Sequence, residues 1–99
     1  MINSKQRALL RSMAASERVI VTVGKEGITD SLVESLTEAL TARELVKGQV
    51  LESSLLTARE ACEELCVRCR AEGVQAIGNK FVLYKRNEKK PRIDIKVSK

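Results

Sequence analysis

Ninety-nine residues suffice for one domain with a modest core, and the 43% hydrophobic fraction is that of an ordinary globular protein. Phe81 and Tyr84 are the only aromatic residues, which excludes a surface built on several stacked rings; the absence of histidine removes the commonest acid–base group and every histidine-containing metal site. The net charge of +5 is unevenly spread: residues 1–25 carry five basic groups against Glu17, residues 26–84 six against ten acidic ones, and residues 85–99 seven against Glu88 and Asp94.

The first predicted element is a helix from Asn3 or Ser4 to Ala15, with Leu9, Leu10 and Met13 as its apolar stripe. Ser4, Arg7 and Arg11 follow one another by about a turn on another face. Met1–Arg11 has no apolar core of the secretory kind and no apolar run reaches membrane-spanning length, so a cytoplasmic protein is expected. Val19–Val23 is a β-branched run and predicts a buried central strand.

Gly24-Lys25-Glu26-Gly27 follows at once. Glycines let a backbone turn sharply and approach a ligand, the amides of a following helix can receive a phosphate, and Lys25 adds a point charge. The same four residues also read as a plain strand-to-helix turn with two positive φ angles. Thr29 is a good N-cap for a second helix, with Asp30 in its first turn and Ile28 placed to staple Val33. Leu32, Val33, Leu36 and Leu40 form its predicted buried stripe.

Leu45–Leu51 predicts a second strand, weakened at Gly48. Thr57-Ala58-Arg59-Glu60 matches a capping box and opens a third helix, with Gly73 at or near its C-cap. Cys62, Cys66 and Cys69 fall on that helix's apolar stripe with Ala58, Ala61 and Leu65. Three thiols without a fourth ligand do not close a structural zinc site, and an odd count suits a reducing compartment, so no metal is expected. Glu60, Glu63 and Glu64 read as the helix's exposed face.

Val74–Ile77 and Phe81–Lys85 predict two short strands joined at Gly78-Asn79. Lys85–Pro91 then reads as a mobile basic segment, and Ile93, Ile95 and Val97 as a candidate edge strand. The order α-β-α-β-α-β-β argues for one α/β (α+β) sandwich with a mixed sheet.

The stretches KQRALLRSMA (Lys5–Ala14), VTVGKEGITDSLVESLTEALTARELVK (Val21–Lys47) and VQAIGNKFVLYKR (Val74–Arg86) together resemble the CRM (chloroplast RNA splicing and ribosome maturation) domain, in its stand-alone bacterial, YhbY-like form. The resemblance implies a four-stranded mixed sheet similar to the C-terminal domain of bacterial initiation factor three. It implies a CRM-type RNA-binding domain over residues 1–86, followed by a basic extension over 87–99. It also implies a binding protein, neither enzyme nor cofactor carrier, whose partner is structured ribosomal RNA in precursors of the large subunit. Gly24, Lys25, Glu26 and Gly27 match the family's GxxG loop. Lys5, Arg7, Arg11 and Arg18 form a second candidate RNA-contact group, and Lys80, Lys85 and Arg86 a third. Glu26, Gly48 and the three cysteines depart from the family pattern. Two rival readings are a protein–protein adaptor working through the acidic face of helices two and three, and a small cysteine-dependent redox or metal protein.

Overall fold

Local signals set the helix starts. In the computed structural model, which describes residues 2–86, the order is α1 (Ser4–Ala14), β1 (Val19–Val23), α2 (Asp30–Arg43), β2 (Leu45–Val50), α3 (Ala58–Cys69), β3 (Glu72–Ile77) and β4 (Lys80–Tyr84). The predicted edge strand at Ile93–Val97 and the extension over 87–99 lie outside the described residues. Asn3 caps α1 in a reciprocal capping box with Gln6, and Thr57 caps α3 in another with Glu60. The Thr29 hydroxyl accepts the Leu32 N–H at 3.1 Å and caps α2.

The strands form one mixed sheet in the order β1-β2-β4-β3, with β1 parallel to β2 and the other pairs antiparallel. β1 is thus an edge strand, which corrects the central position expected from its β-branched run. Val21 and Val23 are buried while Ile20 and Thr22 are exposed, so the run is covered on one face only. The central strands are β2 and β4.

Helices α2 and α3 cover one face through Leu36, Leu40, Ala61 and Leu65, packed on Val23, Val46, Phe81 and Leu83. Helix α1 lies on the other face, where Leu10 and Ala14 meet Leu45, Val74, Val82 and Tyr84. Cys62 and Cys69 are buried and Cys66 half-buried, as the stripe predicted. Hydrogen bonding to Cys62, then burial, pushes the Cys66 thiol up from its ordinary value, so it stays protonated. Among the described residues no three cysteine or acidic side chains gather where they could hold a metal ion.

Two backbone features correct the sequence reading. Helix α3 ends on Arg70, in the left-handed region at φ 56°, rather than on Gly73. Gly73 lies inside β3, where a Cβ would stand 3.3 Å from the Cys62 sulfur. At the end of α2, Glu44 takes φ 65° with its residue fully buried. Its N–H donates to Leu40 O at 2.8 Å and its carbonyl accepts the Lys85 N–H at 2.9 Å, tying α2 to the end of β4.

The Tyr84 hydroxyl is buried without a hydrogen-bond partner among the described residues. Burial, and then the Glu44 carboxylate, push the phenol above its ordinary value of 10, with the Arg86 charge opposing. A raised folded-state value means that the related stability is present below about pH 10 and is lost as the pH climbs further. Tyr84→Phe is therefore expected to match or exceed wild type by about 1 kcal/mol at neutral pH. Its advantage should widen above pH 10 in urea unfolding. Equal loss of stability by both proteins on the alkaline side would refute the strained phenol.

Candidate nucleic-acid interface

The Gly24–Gly27 segment is a tight turn closed by the Gly27 N–H donating to Gly24 O at 3.0 Å. Only Gly27 has a positive φ, 72°; Gly24 does not, so the turn needs one left-handed residue rather than two. Lys25 and Glu26 form the exposed tip. Behind it lies a shallow hollow of about 540 Å³ that also takes in Thr22, Thr29, Ser31 and Ser35. The first intrahelical bond of α2 runs from Val33 N–H to Thr29 O, so the amides of Asp30 and Ser31 have no helical carbonyl to donate to. Lys25, four hydroxyls and the opening of a 14-residue helix therefore surround the hollow.

Two carboxylates stand near it. Glu26 belongs to the tip itself. Asp30 is held by Arg68 of α3, with Nη2 to Oδ1 at 2.8 Å, which offsets its charge beside the hollow. Arg68 also reaches Glu64 at 3.6 Å, and Arg59 lies 4.0 Å from Glu63. Part of the acidic face of α2 and α3 is thus internally neutralised.

The basic residues singled out in the sequence separate into distinct places. β1 and β2 run parallel with Val23 opposite Val50, and β2 places Gln49 opposite Lys80. The turn after β1 and the β3–β4 hairpin therefore share one end of the sheet, a placement the sequence leaves open. Lys80 sits at that end and, with Arg11 of α1, lines a cleft of about 660 Å³ between α1 and the sheet. Lys47 of β2 lines it too, a residue that sequence reasoning passed over. Its signal was the alternation along β2, where Lys47 and Gln49 interleave with buried Val46, Gly48 and Val50.

The other basic residues lie elsewhere. Lys85 and Arg86 follow β4 at the opposite end of the sheet, toward the start of α1, whose Ile2 N–H donates to Glu72 at 3.2 Å. Lys5 is exposed in the first turn of α1, and Arg18 is exposed just before β1. Arg7 is engaged structurally: its Nε donates to Gly73 O at 3.3 Å and binds α1 to β3. Both aromatic side chains are in the core, with Phe81 0% and Tyr84 2% exposed, so no ring faces a ligand.

A model of the CRS1/YhbY (CRM) domain family matches residues 2–85. The chain is 38% identical over 95 residues to the Bacillus subtilis protein YqeI, named a probable RNA-binding protein, covering 96% of this chain and 99% of that one. It is 30% identical over 104 residues to MJ0652 of Methanocaldococcus jannaschii, which bears the same description; the match covers 96% and 77% of the two chains. Among solved structures, the solution structure of SAV1595 from Staphylococcus aureus superposes with a TM-score of 0.80 at 33% identity, covering 95% of this chain and 98% of that one.

Proposed function

The chain belongs to the CRS1/YhbY (CRM) domain family, and from that premise we propose that it binds RNA and acts as an assembly factor on structured ribosomal RNA in large-subunit precursors. The observation that carries this reading is the shared end of the sheet. The Lys25 turn with its hydroxyl-lined hollow, and the cleft bearing Arg11, Lys47 and Lys80, converge there. Apart from Asp30, which Arg68 holds beside the hollow, the carboxylates of α2 and α3 belong to the layer that covers the face opposite the cleft. A polyanion meets cations on one side and is turned away from the other.

Recognition on this reading is of backbone and shape. With both rings buried, the protein lacks the stacking platform that many sequence-reading RNA binders use, and phosphate contacts supply most of the affinity. On this reading the role is binding without turnover, and the chain has no histidine, the side chain most used for acid–base work near neutral pH.

The test is equilibrium binding of the purified protein to large-subunit ribosomal RNA across a salt series. Affinity is expected to fall steeply, with a log–log slope of roughly −0.7 to −0.9 for each phosphate contacted. A flat salt response, or association with precursor particles that survives ribonuclease, would instead point to a protein partner on the acidic face.

A further inference from the structure

On the α1 side of the sheet, α1 packs at one end and its Ala8, Arg11, Ser12, Ala14 and Ala15 form one wall of the cleft described above. Strand register defines three rungs across this face. Leu45, Tyr84 and Glu72 form the first, at the end where α1 packs. Val19, Lys47, Val82 and Gln75 form the second. Thr22, Gln49, Lys80 and Ile77 form the third, which crosses all four strands. At ~4.8 Å between neighbouring strands this last rung is about 14 Å long.

The second and third rungs, with Arg11 at their flank, frame the cleft already described. Its floor is the buried side chain of Val82, and Ile77, 64% exposed, extends the apolar surface to its rim. Arg11, Lys47 and Lys80 supply three cations, and no carboxylate is among the residues lining it. Gln75 lines the cleft, and Gln49 stands beside Lys80 in the outer rung. Between the cleft and the hollow at the turn stands Gln49: it pairs with Lys80 of the cleft, and its Nε2 donates at 3.4 Å to Thr22, which lines the hollow.

We infer that this cleft receives unpaired nucleobases of the same RNA strand whose backbone lies against the Gly24–Gly27 turn, an inference that rests on the RNA-binding reading above. Three features select that occupant. The Gln75 amide in the cleft, and the Gln49 amide beside Lys80 with one hydrogen directed to Thr22, offer donors and acceptors, the complement of a base edge, and base edges are free to meet a sheet only where the nucleotide is unpaired. Val82 and Ile77 give a base face an apolar bed, and the Arg11 guanidinium can lie on the other side in place of an aromatic ring. The cations suit the phosphate that comes with every base. A peptide would have to bring its own acidic groups. The cleft volume falls within the usual range for small-ligand sites, room for a nucleoside rather than for a duplex.

The test uses a neutral variant, Gln49→Ala with Gln75→Ala, so that no phosphate-binding charge is removed. Wild type and variant are titrated with a short mixed-sequence single-stranded RNA and with a blunt duplex of the same sequence. The variant is expected to lose about tenfold in affinity for the single strand, the loss of one amide–base pairing, while its duplex affinity and salt slope stay unchanged. In wild type, the side-chain amide signals of Gln49 and Gln75 should move in nuclear magnetic resonance spectra on adding the single strand. A folded variant that binds the single strand as wild type does overturns the cleft assignment and leaves the RNA-binding reading standing. A wild type that binds neither RNA overturns both. Amide signals that ignore RNA but move with poly-glutamate assign the cleft to a protein partner and overturn it as well.

Discussion

Reversing the charge at the tip of the turn, Lys25→Asp, is expected to weaken RNA binding about ten- to hundredfold near physiological salt. The salt slope should become shallower by about one phosphate contact. Lys25 is exposed, so the substitution removes no packing. It belongs to a turn held by the Gly24–Gly27 backbone bond, which the side chain does not enter. Next to it stands Glu26; after the change the tip carries two adjacent carboxylates, besides the Arg68-paired Asp30, at the hollow where the reading above places a phosphate. The matched control is Arg70→Asp, the same change in charge at the far end of α3. Arg70 is exposed and left-handed, a conformation that Asp tolerates. The control should bind nearly as wild type does. If both variants weaken binding equally, net charge alone is acting and the turn is no more than a connection. If Lys25→Asp keeps the wild-type slope, the phosphate role of Lys25 is refuted.

The contrast between these two positions follows from what a sequence can and cannot reveal. Caps are local, so Thr29 and the Thr57–Glu60 capping box are legible from four or five residues. The Gly78-Asn79 hairpin is legible for the same reason, as is the helical recurrence of Ala58, Ala61, Cys62 and Leu65. Strand order is not local. Nothing in Val19–Val23 says which neighbour it lacks, and a β-branched run reads alike at an edge or in the centre. Arg7 and Gly73 meet across 66 positions of chain, so the sequence does not reveal that this candidate phosphate contact also binds α1 to the sheet. The Gly24–Gly27 motif was visible by its glycines; the cleft beside it was not, because Arg11, Lys47, Gln75 and Lys80 come from four separate elements.

Gly48 is the position where local reading is most incomplete. A glycine inside a strand weakens it, and alone the residue reads as a defect. In the fold it faces Phe81 directly across the β2–β4 pair. A Cβ built there would stand 2.4 Å from Phe81 Cζ, so the ring occupies the space that a side chain at 48 would need. The aromatic ring shields the glycine, and the glycine admits the ring.

Two large effects and one cancellation are therefore expected. Phe81→Ala should cost about 3–5 kcal/mol, the usual loss for deleting a fully buried ring. That is a large part of the ~5–15 kcal/mol that holds a small domain together. Gly48→Ala should cost about 1–3 kcal/mol by overpacking against the ring. The double variant should be more stable than the sum of the two, by about 1–2 kcal/mol, because the new methyl enters space that the ring has left. Urea unfolding of the four proteins measures the coupling. Strict additivity would show that the ring and the glycine do not share that space. The contact also bears on the cleft side of the sheet: Gly48 and Phe81 lie between the Lys47–Val82 and Gln49–Lys80 pairs, with their side-chain positions on the opposite side of the sheet. A shift of the β2–β4 pairing at Gly48 and Phe81 would therefore also move Lys47 relative to Lys80 on the cleft. At temperatures where Gly48→Ala remains folded, any loss of RNA affinity in it should be recovered in the double variant, in which the two strands can again pair without the clash.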